Sequence, residues 1–102
     1  MGIDAIWQTE GRKELGSVLD PKMVMSELVL GSTDLSETVC LRFLDPYGNA
    51  CFNRYQIPIL ADELAAIAKV TTDEEMRDHF RLVETLARRA VEAHTYLWFI
   101  GD

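Results

Sequence analysis

The chain is predicted to fold as an α+β domain: a mostly antiparallel sheet of about five strands, in the order β-β-α-β-β-α-α-β, with helices packed on one face. Three observations predict it. Residues 3–8 alternate in the manner of a strand, and residues 73–93 carry an apolar stripe at helical spacing. The chain then closes on Thr95-Tyr96-Leu97-Trp98-Phe99-Ile100, six residues rich in aromatic and β-branched types. With 102 residues, 48% hydrophobic and 26% charged, one domain with one core is expected over residues 1–102.

The elements follow in order. In the first strand Ile3, Ala5 and Trp7 face one way and Asp4, Ile6 and Gln8 the other. Glu10-Gly11-Arg12-Lys13 supplies a turn, and Glu14 to Leu19 return as a second strand in which Gly16 marks a bulge. Asp20-Pro21 reads as a helix start, with Asp20 the N-cap, Pro21 the first helical residue and Gly31 the close. Residues 32–38 read as loop. A hairpin is predicted from Val39 to Ile57 around the type I turn sequence Asp45-Pro46-Tyr47-Gly48. In its register Phe43 faces Cys51, Arg42 faces Phe52 and Cys40 faces Arg54, so the two cysteines fall on opposite faces and stay reduced. Pro58 opens a helix over 59–69 with Leu60, Leu64 and Ile67 inward. Thr72 and Glu75 form a capping box for a third helix over 73–93, with Met76, Phe80, Val83, Ala87, Ala90 and Val91 on its buried stripe. On its wet side Glu84–Arg88 and Arg88–Glu92 are i,i+4 pairs. The last strand is read as interior and buried on both faces.

Charge narrows the partner classes. The net charge is −7, and it is spread out: residues 1–51 hold 4 basic and 8 acidic side chains, residues 52–102 hold 6 and 9. No basic stripe exists to neutralise phosphates, so nucleic acid and anionic membranes are not expected partners. No apolar run approaches the ~18 residues of a membrane span, and no secretory leader is visible, so a cytoplasmic location is expected. Cys40, Cys51, His79 and His94 match no metal-ligand spacing, and no cofactor or catalytic motif is present. No catalytic residue, cofactor or metal is therefore assigned.

Three residues stand out as ligand-binding candidates. Arg42 and Arg54, diagonal neighbours in the expected hairpin, can fork onto a carboxylate or phosphate. Surface arginines more commonly pair with a carboxylate or simply solvate. His94, read as the end of the third helix, sits where the dipole favours an imidazolium, and Cys40, Asp45 or Tyr96 are its conceivable partners. The commoner role there is capping or packing. His79 is expected to face solvent. Cys40 opposite Arg54 has the setting of an activated thiol, although a strand cysteine is more often a small buried hydrophobe. Trp7, Tyr96, Trp98 and Phe99 are assigned first to the core, second to a homodimer seam and third to a pocket.

Cys40-Leu41-Arg42-Phe43 with Asp45-Pro46-Tyr47-Gly48, then Phe52-Asn53, and the ending His94-Thr95-Tyr96-Leu97 with Phe99 and Gly101-Asp102 resemble a family of small bacterial proteins with no assigned function, of the kind carried on mobile gene cassettes. The resemblance implies no activity. These readings converge on a non-enzymatic binding or protein-interaction module, acting through its surface on a partner with a basic face or as a homodimer. The alternative is an anion-binding protein or small enzyme built on Arg42 and Arg54.

Overall fold

The computed structural model describes residues 2–101. Four strands, β1 (Asp4–Thr9), β2 (Glu14–Val18), β3 (Asn49–Phe52) and β4 (Thr95–Ile100), form one antiparallel sheet in the spatial order β2-β1-β4-β3. Three helices, α1 (Val24–Leu30), α2 (Ile57–Val70) and α3 (Glu74–Arg89), complete the fold. The α+β class stands, with four strands where about five were expected.

The alternation in β1 holds. Ile3, Ala5 and Trp7 are buried together with Phe52, Leu97 and Phe99 from the neighbouring strands, and the Phe52 and Phe99 rings meet edge to face at 5.8 Å. The bulge falls beside Gly16: Trp7 opposes Gly16 while Gln8 opposes Glu14, so Leu15 is the extra residue. A Cβ on Gly16 would stand 2.9 Å from Leu86 of α3, and glycine there lets the helix ride close to the sheet.

The missing strand is the first arm of the predicted hairpin. Leu41–Phe43 form a single 3-10 turn, and β3 pairs with β4 alone. The burial of Cys40, Leu41 and Leu44 follows the spacing of a helical turn, which a two-residue strand period cannot produce. Glu63 on α2 imposes this geometry. Its carboxylate accepts the backbone N–H groups of Val39, Cys40 and Leu41, consuming the donors a strand would have offered to a ladder. The Asp45–Gly48 turn itself forms, with the Tyr47 N–H donated to the Asp45 carboxylate at 2.8 Å. Arg42 therefore does not face Phe52, and Cys40 does not face Arg54.

Helix boundaries shift for local reasons. The first helix starts at Val24, with Pro21 and Lys22 in a preceding turn and Met23 at φ 60°. Asp20 still caps it, from one turn earlier. Helix α2 begins at Ile57, two residues before the expected start, with Pro58 in its first turn. At α3 the cap is Asp73, whose carboxylate accepts the Met76 N–H at 3.0 Å, and Thr72 is not the capping residue. That helix stops at Arg89, so Val91 lies exposed rather than on the stripe, and Arg88 pairs with Glu84 and Asp62. Strand β4 is interior, between β1 and β3. It is buried on one face only: Thr95, Leu97 and Phe99 are covered, Tyr96 and Trp98 half-exposed, Ile100 exposed.

One buried carboxylate ties the layers together. Asp20, 2% exposed, accepts the N–H of Ile3 at 3.0 Å, of Val24 at 2.7 Å and of Met25 at 3.0 Å. Its own N–H goes to Asp4 Oδ1 at 2.8 Å. His79 of α3, expected in solvent, is largely buried instead, with Nε2 3.5 Å from Asp20 Oδ1. Charge-assisted bonds of this kind contribute ~1.5–3 kcal/mol each and offset the desolvation of the carboxylate. Asp20→Ala orphans three backbone donors and is expected to lower stability by about 3–5 kcal/mol, with Asp20→Asn losing less, as read from urea unfolding midpoints. An alanine variant within about 0.5 kcal/mol of wild type would refute the assigned role.

Candidate functional site

The helices cover the inner face of the sheet and leave the outer one bare. Cross-strand register sets Ser17, Ile6, Trp98 and Cys51 in one row across it, and Glu14, Gln8 and Tyr96 in the next. Two adjoining grooves open along the end of this face where β1 finishes and β4 begins. One, of about 310 Å³, is lined by Glu10, Asn53, Arg54, Tyr55, His94 and Tyr96, among others. The other, of about 370 Å³, adds Arg12, Cys51 and Trp98 and shares Glu10 and Tyr96 with the first. Both fall in the size range of small-ligand clefts.

Local structure holds each wall in place. The turn between β1 and β2 is closed by Thr9, whose N–H goes to the Lys13 carbonyl at 2.9 Å and whose carbonyl accepts the Arg12 N–H at 2.8 Å. Glu10 N–H donates to the His94 carbonyl at 3.1 Å, which binds the hairpin tip to the segment entering β4. Glu10 Oε1 then accepts the Tyr96 hydroxyl at 3.2 Å and lies 3.5 Å from His94 Nδ1. On the far wall Asn53 Oδ1 accepts the N–H groups of Tyr55 and Gln56 at 2.9 and 3.1 Å, a side-chain turn that projects Arg54 and Tyr55 outward. Arg54 stacks on the Tyr55 ring at 4.9 Å and donates to its hydroxyl at 2.8 Å. Arg12 lies over Trp98 at 5.9 Å.

Of the three candidates from the sequence, the structure brings two together. Arg54 and His94 share the first groove. Arg42 is not among its lining residues; it stacks on Phe43 at 4.9 Å, on the 3-10 turn. His94 lies five residues past the last residue of α3, beyond the reach of the helix dipole, which fades within a turn. Tyr96, one of its conceivable partners, lines the same groove, but the side chain beside the His94 ring is Glu10, which sequence reading missed and which also accepts the Tyr96 hydroxyl. Neither cysteine is activated: burial and the nearby Glu63 carboxylate push the Cys40 thiol up, and burial pushes Cys51 up. Both are unpaired. Among the described residues no group of three or more His, Cys, Asp or Glu can hold a metal ion, and no helix is long and apolar enough to cross a membrane.

Backbone conformation marks the same place. Among the described residues three non-glycine residues have positive φ: Arg12 at 68°, Met23 at 60° and His94 at 63°. Two of the three line these grooves. A left-handed non-glycine residue costs about 1–2 kcal/mol, and Gly11 beside Arg12 shows that glycine was within one position. Such outliers gather where side-chain identity serves something other than stability. Met23 lines a separate cleft of about 450 Å³ with Leu19, Ile100 and Asp4.

Two outcomes test this geometry. His94→Gly is expected to raise stability by about 1 kcal/mol, read as a higher urea midpoint; a loss would mean the imidazole supports the fold. Glu10 holds the Tyr96 phenol above its ordinary value, first by hydrogen bonding and then by charge. Tyr96 therefore stabilises the fold below the ordinary tyrosine pKa, and that share is lost as pH rises through the raised value. Glu10→Gln should bring the Tyr96 transition back down in a phenolate absorbance titration. No protein-family model, no curated protein and no solved structure matches this chain, so the function rests on the chemistry of this face.

Proposed function

We propose that the protein is a non-catalytic binding module whose contact surface is the bare face of its sheet, and that the first partner of this face is a second copy of the chain. The observation that carries the reading is the one-sided burial of the central strands. Trp98 and Ile6 stand half-exposed at the middle of the sheet and Ile100 is exposed at its rim. Among the described residues no helix lies over them. Large apolar residues grouped on one open face mark an interaction surface.

Charge supports self-association. By strand alternation Asp4 lies at one end of this face; the other end carries Glu10, Glu14 and Arg12, whose guanidinium reaches back over Trp98 near the middle. A two-fold axis in the plane of the contact and across the strands sets each Arg12 toward the partner's Asp4 end, as an isologous interface allows. Four strands at ~4.8 Å spacing and about six residues at ~3.3 Å rise give a face roughly 20 Å on a side. That is about half of the ~800 Å² per partner of a standard interface, so the contact spreads onto rim residues such as Leu19 and Met23, both exposed, and is transient. The acidic remainder of the surface also suits a partner with a basic patch. The unpaired thiols suit a reducing, cytoplasmic setting.

A small-molecule reading has one observation in its favour: Arg54 and His94, far apart in sequence, line one groove.

Sedimentation velocity from micromolar to millimolar protein tests the first reading. Wild type should show a mass that rises with concentration and falls with added salt, while Trp98→Glu and Arg12→Glu should stay monomeric, with unfolding midpoints confirming that both remain folded. Wild type that stays monomeric throughout would overturn the self-association.

A further inference from the structure

We propose that the groove between Arg54 and Glu10 binds a small zwitterion of the α-amino-acid type, one with a flat apolar side chain. The inference rests on the small-molecule reading of the groove and names its ligand class; because the ligand side chain and a second copy of the chain would both cover Trp98, it applies to the unassociated chain.

The groove presents an alternation of charge that fits neither a plain anion nor a plain cation. Arg54, stacked on Tyr55 in the 53–56 turn, forms one wall, and Glu10, which accepts the Tyr96 hydroxyl, forms the other. A simple anion reaching Arg54 would meet the Glu10 carboxylate across the same cleft. A simple cation drawn to Glu10 would meet Arg54. A ligand carrying both charged groups on one α-carbon satisfies both walls. Its carboxylate takes the guanidinium fork, its ammonium donates to Glu10, and the phenol face of Tyr96 flanks the ammonium. The side chain then runs along the outer face onto Trp98, which lines the adjoining groove reached past Glu10 and Tyr96. Apolar walls with a few convergent polar groups are the ordinary composition of such a site.

The surrounding structure is arranged to hold these groups apart. Arg54 is stacked on Tyr55 and hydrogen-bonded to its hydroxyl, which keeps it from collapsing onto Glu10; the described residues show no ion pair between the two. Glu10 is oriented by the Tyr96 hydroxyl and lies beside His94, and its backbone is tied to the His94 carbonyl. His94 keeps its left-handed backbone, φ 63°, at a position where glycine would sit more easily, and so puts an imidazole at the ammonium end of the groove.

Three probes of one shape separate the parts: L-phenylalanine, phenethylamine, which lacks the carboxylate, and 3-phenylpropionate, which lacks the ammonium. Binding to the full chain is followed by backbone amide shifts in ¹⁵N-correlated NMR spectra. L-Phenylalanine is expected to perturb Glu10, Arg54, His94, Tyr96 and Trp98, and to bind at least about tenfold more tightly than either truncated probe, a difference of ~1.4 kcal/mol. Arg54→Ala should abolish the discrimination against phenethylamine, and Glu10→Gln the discrimination against 3-phenylpropionate. Both positions are exposed, so folding is not at stake, and Arg42→Ala serves as a cation control that should change nothing. If 3-phenylpropionate binds as well as L-phenylalanine, the groove is an anion site and the zwitterion assignment alone falls. If none of the probes perturbs these residues, the small-molecule reading falls with it. Equal affinity for all three would reduce the groove to an apolar contact and overturn both.

Discussion

The carboxylate of Asp20 stands at the corner where the chain leaves the sheet for the helical layer. It holds Ile3, just before β1, and the first turn of α1 on the same two oxygens. That junction decides the side of the sheet on which the chain continues. With α1 started beneath the inner face, α2 and α3 pack there too, and His79 of α3 closes against the same carboxylate. A charge so deeply buried is tolerated because backbone donors surround it, and each donor would be costly if the charge were removed.

Glu63 acts in the same way at the other irregular connection. It gathers three consecutive N–H groups of residues 39–41 and turns an apolar segment into a helical corner packed on α2. Two of the seventeen acidic residues are thus fixed in the framework rather than spread on the surface. Both meet the same need, since a chain crossing between sheet and helix leaves backbone donors that neither element satisfies.

With the helices confined to one side, the outer face is left to its side chains. Its centre is apolar and its end is polar, because the end is built from turns. The segments carrying Glu10, Arg12, Arg54 and His94 are all connections, and each is pinned by backbone or side-chain hydrogen bonds to a strand or helix. Mobile-sounding positions are therefore held rigidly enough to present fixed chemistry, the usual division between scaffold and binding loops.

Local pattern alone determined much of this protein. The two faces of β1, the bulge by Gly16, the Asp45–Gly48 turn and the body of α3 each follow from residues within one turn or one strand of each other, whereas β4 is interior although it lacks the burial on both faces from which that position was expected. Segment 39–44 was legible only in part, for Cys40, Leu41 and Leu44 suit a buried strand or a helical turn equally until Glu63, more than twenty residues away, takes up their donors. The start of α3 moved because Asp73, not Thr72, takes the cap. Tertiary structure alone decided that Arg54 and His94 meet while Arg42 stays apart, and that Glu10 joins them. The Glu10–His94 bond spans 84 residues, and no periodicity reports on a contact made by closing the whole chain on itself. Periodic burial records which way a side chain faces relative to its neighbours in sequence; which distant turn arrives beside it depends on strand order, and strand order is a property of the packed layers.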